Sequence, residues 1–245
     1  SFADHYSQAT AFFLALEAPE QAHLASALVF ELSKVETVAV RERMVANLQQ
    51  VHAQLAQRVA DGLGMSALPA PVGEVAQDVT APEVPEVRII GRMRQTLQGR
   101  CIGILIDNGS DAGQVSALRK AAEKAGAQVK IVAPKIGGAT LSDGSHLGAD
   151  GQLAGTPSVL FDAVAIVLEA SAGKQLAKEA AAVDFAAFAW AHLKAIAHDA
   201  GAAPLLKAAN VGQDPGIIAA GDTAAFIAAA STRQWARESK LRTLA

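Results

Sequence analysis

The side chains able to do acid–base, nucleophilic or metal chemistry are few and scattered along this sequence. The six histidines are His5, His23, His52, His146, His192 and His198. They contain no His-x-x-x-His pair, the spacing that puts two ligands on one helix face. A metal site is not expected. The one cysteine, Cys101, rules out an internal disulfide framework and any Cys-rich metal site. It opens an apolar run and so falls at the amino end of a predicted strand, whereas open α/β sheets gather function at the carboxyl ends. It reads as a buried, inert thiol. After that run, Asn108-Gly109-Ser110-Asp111 could present helix amides to an anion. No Gly-x-Gly-x-x-Gly or Gly-x-x-x-x-Gly-Lys-Ser/Thr accompanies it, and Asp107 and Asp111 would repel the anion. It reads as an ordinary strand–turn–helix junction.

One position matches a catalytic geometry. A sharp turn at the carboxyl end of a strand can expose a nucleophile at an elbow. The turn after the short apolar segment Ala195–Ala197 is the natural place, and the residue there is Ala197, which has no nucleophile. His198 and Asp199 follow and could act as an acid–base pair, but no Ser, Cys or Thr stands beside them. Trp190, beside Phe185 and Phe188, and Trp235 read as core or interface anchors, because no basic stripe suggests a stacking platform. Arg233, Arg237, Lys240 and Arg242, around Glu238, read as a mildly basic, solvated tail.

The elements that would position these residues follow from composition and periodicity. The 245 residues are 51% hydrophobic, 18% charged and 4% aromatic, with a net charge of −3. That is enough apolar material for a core of Ala, Val, Leu and Ile, and it lacks the basic footprint of a nucleic-acid binder. No apolar stretch reaches the roughly 20 residues of a membrane span. Ser1-Phe2-Ala3-Asp4 carries no Met, basic region or apolar leader, and reads as the cut end of something longer. The expected location is the cytoplasm.

Residues 5–64 read as amphipathic helices. Pro19 suits a first turn. Leu24, Leu28, Leu32 and Val35 share one face. Val40, Met44, Leu48, Val51, Leu55 and Val59 recur every three or four residues, as one continuous helix would require. Pro69, Pro71, Pro82 and Pro85 mark an extended linker, in which Val75–Thr80 or Val87–Ile90 could add an edge strand at most. From residue 99 the pattern becomes α/β. Strands are predicted at Cys101–Ile106, Gln128–Ala133, Ala163–Leu168, Ala195–Ala197 and Ile217–Ala219, with short strands or hairpins in 135–160. Helices are predicted after Ser110 or Asp111, near Ser171–Ala181, across Asp184–Leu193, from Pro204 and over Thr223–Arg237. The expected fold is a doubly wound parallel sheet preceded by helices, with divisions at 1–65, 66–98 and 99–245.

Particular segments resemble a known family. His5-Tyr6-Ser7-Gln8-Ala9, Glu20-Gln21-Ala22-His23-Leu24, Phe30-Glu31-Leu32-Ser33-Lys34-Val35 and the run from Arg41 to Leu48 look like the C-terminal helical region of large-subunit haem catalases. Gly99–Leu105, Pro157–Val164, Ala191–Ile196 and Asp214–Ile217 are similar to the extra C-terminal domain of those large subunits. The resemblance covers essentially the whole chain. It implies a flavodoxin-like domain, related to the ThiJ/PfpI class I glutamine amidotransferase superfamily. That superfamily carries a Cys followed by His at the elbow. The matching positions here are Ala197 and His198, with Asp111 near the place of an acidic partner. The superfamily's Pro-Gly-Gly falls at Val167-Leu168-Glu169 and is lost too.

The resemblance further implies that the parent disproportionates hydrogen peroxide at haem, in a homotetramer. This chain lacks what haem catalysis requires. Its one tyrosine, Tyr6, has no arginine four residues before it, and the barrel that houses haem is missing. The expectation is therefore a C-terminal piece of a large-subunit catalase that is not itself an enzyme and holds no cofactor. Its task would be structural and stabilising, its partners the missing barrel and sister subunits. Two alternatives follow from the same resemblance: a chaperone-like holdase binding unfolded clients, and a residual hydrolase, glyoxalase or deglycase, which Ala197 argues against.

Overall fold

The computed structural model describes residues 4–73 and 84–241. The chain divides into two units, Ser1–Met93 with Glu238–Ala245, and Arg94–Arg237.

The first unit is helical. It contains α1 (Ser7–Ala15), α2 (Ala18–Ser33), α3 (Val38–Val51) and α4 (Ala53–Gly62). Helix α2 begins with a capping box between Glu17 and Glu20, with Pro19 in its first turn as expected. The segment predicted as one helix from Val40 to Val59 is broken at His52, which is extended at φ −165° and ψ 132°. The His52 Nδ1 accepts from the Gln54 amide at 3.2 Å and so restarts the helix as α4. Its ring packs on Phe13 at 4.9 Å between centroids. Val45, Leu48, Leu55 and Val59 join Phe13, Ala25 and Leu32 in one core. Val40 and Met44, predicted on that same face, remain 44% and 40% exposed.

The described ends of the proline-rich stretch are tied to these helices. Gln49 and Gln50 donate to the carbonyls of Pro69 and Val72. The buried Glu20 carboxylate accepts from the Ile89 and Ile90 amides. Burial alone would raise the Glu20 carboxyl, but the amides of Glu17, Ile89 and Ile90 together hold it below its ordinary value. Val87–Ile90 is not a strand; a single 3₁₀ turn spans Pro85–Val87. Val75–Thr80 lies outside the described residues. Residues Glu238–Leu241 form a short helix, α10, of this unit, in which Glu238 is buried and pairs with His23.

The second unit is the α/β domain. Its strands are β1 (Cys101–Ile106), β2 (Gln128–Ala133), β3 (Ala139–Thr140), β4 (His146–Leu147), β5 (Gly151–Gln152), β6 (Ala163–Val167), β7 (Ile196–His198) and β8 (Ile217–Ala219). Its helices are α5 (Ala112–Lys124), α6 (Ala170–Leu176), α7 (Ala180–Ala191), α8 (Ala203–Ala208) and α9 (Thr223–Ala230). The six-stranded sheet runs β5-β2-β1-β6-β7-β8, and its pairings are all parallel. Without the two-residue β5 this is the flavodoxin-like order, as expected. Strands β3 and β4 form a separate antiparallel hairpin.

The central strands are apolar throughout because helices cover both of their faces. On one face Ile102, Ile104 and Ile106 pack with Val115, Leu118 and Ala122 of α5 and with Phe226 and Ala230 of α9. On the other, Phe161 lies over Gly103: a Cβ there would stand 2.4 Å from the ring. Phe161 in turn meets Phe185 of α7 at 6.2 Å.

Two helix predictions differ from the structure. The segment expected as Ser171–Ala181 ends at Leu176, and α7 restarts at Ala180 after Glu179. The segment expected as Thr223–Arg237 ends at Ala230. The chain then turns back, and part of the expected solvated tail goes inward: Arg233 is partly buried and Arg237 buried, whereas Lys240 is exposed as expected and Arg242 lies outside the described residues. Arg237 is 1% exposed. Its guanidinium grips Asp214 through Nε at 2.6 Å and Nη2 at 3.0 Å. Nη1 donates to the carbonyls of Trp190 and Lys194, and the group lies 3.9 Å from the Trp190 ring. A buried cation is tolerated only when paired and hydrogen-bonded in this way.

Arg237→Met should cost about 3–5 kcal/mol, because it strips a buried carboxylate of its guanidinium. Adding Asp214→Leu to the same protein should recover part of that loss. Urea unfolding of both variants measures the difference, and an unchanged midpoint in Arg237→Met would refute the role given to this pair.

Candidate functional site

A doubly wound sheet offers its ligand crevice at the carboxyl ends of the strands, where the strand order reverses. Here that point lies between β1 and β6. The loop after β1 closes on itself and on its neighbours. Ser110, fully buried, donates from Oγ to the Val167 carbonyl at 2.6 Å and accepts from the Asp107 amide. The Gly109 amide donates to the Thr140 carbonyl, and the Asn108 side chain accepts from the Thr140 amide. The β3–β4 hairpin is thereby fastened over the loop. The first turn of α5 is satisfied from within the protein: Asp111 Oδ1 accepts from the Gln114 amide and Ser142 Oγ from the Ala112 amide. The junction is a capped strand–turn–helix, and Asp111 is its cap. A cavity of about 170 Å³ remains beside it, lined in part by Asp107, Gln152, Gln175 and Glu179. That is smaller than the roughly 300 Å³ at which ligand pockets begin.

The end of β7 is also closed. Ala197 is fully buried within the regular ladder, paired with Ala165 of β6 and Ile218 of β8. A nucleophile elbow needs a strained backbone at the nucleophile. Among the described residues the non-glycine positions with positive φ are Leu193 and Asn210, so Ala197 has ordinary strand geometry. Above it, backbone packs on backbone. A Cβ on Gly201 would stand 1.8 Å from the Leu168 carbonyl oxygen, and one on Gly173 would stand 1.9 Å from that of Gly201. Only glycine fits at either place.

His198 and Asp199 are adjacent, yet the imidazole meets the Asp199 backbone and the carboxylate is engaged elsewhere. His198 Nδ1 lies 2.9 Å from the Asp199 backbone oxygen. The Asp199 carboxylate accepts from the Leu168 amide at 3.0 Å and the Ala202 amide at 3.0 Å, bracing the two loops at the strand ends. Burial raises the Asp199 carboxyl above its ordinary value despite those amides. Asp111 caps a helix two strands away from β7 in the sheet order. The hydrogen bonds of Ala197, His198 and Asp111 do not join them.

Elsewhere the candidate residues have structural surroundings. Cys101 opens β1 as expected but is only partly buried; desolvation raises its thiol above the usual value, which disfavours the reactive thiolate. Glu20 and His23 are three residues apart on α2, but Glu20 serves backbone amides and His23 meets Glu238. Among the described residues no group of three His, Cys, Asp or Glu could hold a metal, and no helix is long and apolar enough to cross a membrane.

Comparison with known proteins supplies the relationship. Residues 98–233 match the family described as the C-terminal domain found in long catalases, and residues 1–63 match the one described as catalase-related immune-responsive. The chain belongs to the long-catalase family. This long-catalase chain is 43% identical to catalase C of Rhizobium meliloti over 99% of its own length and 35% of the relative's. It is 34% identical to catalase HPII of Pseudomonas aeruginosa over 89% of its length and 30% of the relative's, and 35% identical to catalase HPII of Mycobacterium avium over 86% and 30%. It thus spans about a third of the length of the curated relatives it matches.

Sequence reasoning had no signal for Gly201 and Gly173, whose role depends on carbonyls brought close only by the fold. A substitution tests the closed elbow. In Ala197→Cys of this long-catalase chain, the new thiol should react with iodoacetamide more slowly than Cys101, as read by peptide mass spectrometry. Faster labelling at residue 197 would mean that an open, activated elbow survives there.

Proposed function

We propose that this chain is the helical and α/β end of a long catalase whose whole protein disproportionates hydrogen peroxide. The haem and the barrel that holds it would lie outside these 245 residues. The task of this part would be structural and stabilising. The observation that carries the reading is the match of nearly the whole chain to catalases, over about a third of their length. Its partners would be the rest of the catalase subunit and sister subunits of a homotetramer, in the cytoplasm. The functional divisions would be the helical segment 1–65, the linker 66–98 and the domain 99–245.

The end of β7 supports a non-enzymatic role. Ala197, His198 and Asp111 would be the remnant of an amidotransferase-like elbow from which the nucleophile has gone. The buried position of Ala197, the glycine-only packing above it and the engagement of Asp199 by two amides all favour scaffolding over chemistry. The helical unit supplies a surface for partners. Phe30, Val38, Val40 and Met44 are exposed large apolar residues of α2 and α3. Val40 and Met44 stand one turn apart on α3 and so line one stripe. Exposed apolar residues grouped in this way mark interaction surfaces.

Two measurements test the proposal. The purified chain, given haem and hydrogen peroxide, should release no more oxygen than the same haem in buffer; turnover by the chain would overturn the reading. The chain should also leave the heat-induced aggregation of an unrelated protein unchanged, relative to an equal mass of inert protein. Suppression near stoichiometric ratios would replace the passive role with client binding.

A further inference from the structure

The amino ends of the strands, opposite the closed crevice, carry a different feature. Lys194 precedes β7, Asp162 precedes β6 and Cys101 opens β1. A cavity of about 360 Å³ lies here, lined by Lys194, Arg233, His192, Asp162 and Phe161, with Val159 and Leu160 beside them. This is within the range of small-ligand sites.

Its charges do not balance. Lys194 is 4% exposed, and its ammonium donates to the Ser158 carbonyl at 2.7 Å. An ammonium has three donors, and a carbonyl does not neutralise it. Desolvation, reinforced by the charge of Arg233, lowers its titration to about 8. Arg233 is itself half-buried; its Nη1 donates to the Asp162 carbonyl at 2.9 Å and Nη2 reaches Asp162 Oδ1 at 3.5 Å. The other oxygen of that carboxylate accepts from the Cys101 amide at 3.0 Å. Arg100 adds a third positive charge near Arg233 and donates to the carbonyls of Arg94, Ala230 and Ser231. His192 Nδ1 lies against the Phe188 carbonyl. Among the described residues, Asp162 is thus the one carboxylate lining the cavity, against the two cations Lys194 and Arg233, with Arg100 near Arg233.

Such an arrangement also occurs in this unit with its charge fully compensated. Arg237 is held by both oxygens of the Asp214 carboxylate and lies on an aromatic face. Lys194 and Arg233 have neither to themselves. The geometry points to an oxyanion as the missing counter-charge: the cavity binds a phosphate group, with Lys194 and Arg233 as its donors. Arg233 supplies a planar fork and Lys194 a point charge, the pair of groups that suits phosphate oxygens. Val159 and Leu160, 54% and 60% exposed at the same cavity, would meet an apolar body attached to the phosphate.

The test reads Lys194 in the intact chain. Trace acetylation at pH 8, followed by peptide mass spectrometry, is run with inorganic phosphate, with phenyl phosphate and with chloride at matched ionic strength. A bound anion raises the lysine's titration; from about 8, a rise of about one pH unit cuts the neutral amine at pH 8 from about a half to about a tenth, slowing labelling about fivefold. Protection of Lys194 should saturate with phosphate while the exposed Lys178 and Lys207 are unaffected. Arg233→Gln should weaken it, with folding checked by circular dichroism. Saturation at lower phenyl phosphate than phosphate would identify a phosphorylated small molecule as the ligand; equal concentrations would identify free phosphate. Labelling of Lys194 at the chloride rate, or equal protection of all three lysines, would overturn the site. That wild-type comparison decides the matter even if the variant does not fold.

Discussion

Strand β6 is shut off from water along its whole length. All five of its residues, Ala163 to Val167, are fully buried. A strand in that position must have neighbours on both edges and helices on both faces, because every backbone amide and carbonyl needs a partner and every side chain needs an apolar contact. Strands β1 and β7 meet the first demand in parallel register. Parallel pairing in turn forces crossover connections, which supply the helices for the second. The position of Phe161 over Gly103 and the packing of α5 and α9 on the isoleucines of β1 are consequences of the same requirement.

The loops at the two ends of this sheet have gone in opposite directions. At the carboxyl ends the chain satisfies itself. Ser110, Asn108, Asp111 and Asp199 each spend their polar atoms on backbone groups, and Gly201 and Gly173 let the β6 and β7 loops approach to van der Waals contact. A site needs polar groups with something left to offer, and these have little. At the amino ends Lys194 and Arg233 keep more positive charge than their surroundings neutralise. The contrast with Arg237, whose charge is matched by Asp214, separates a structural buried cation from one available for recognition.

The chain belongs to the long-catalase family, and the end of β7 carries no nucleophile. A nucleophile elbow stores strain and exposes a reactive group. Here alanine holds the position, with relaxed strand geometry and tight glycine contacts around it. The helical unit has the complementary character, with buried faces on α3 and α4 and an apolar stripe left outward on α3.

Much of this was legible in the sequence, because periodicity reports which face of an element is buried. The strands Cys101–Ile106 and Gln128–Ala133, the absence of a nucleophile at Ala197 and the resemblance to the catalase family needed only residue order. What periodicity could not report was phase and partnership across distance. A single extended residue, His52, splits a pattern that reads as one helix, because the pattern's repeat survives a break that rotates its face. Arg237 looks like a solvated tail residue until Asp214 and Trp190 are brought to it from elsewhere in the chain. Lys194 and Arg233 carry no motif at all; they share one cavity only because the sheet places the start of β7 beside Asp162 and the chain turns back after α9. Local interactions are written in neighbouring residues, while charge balance and cavity shape belong to contacts that exist only once the chain has closed on itself.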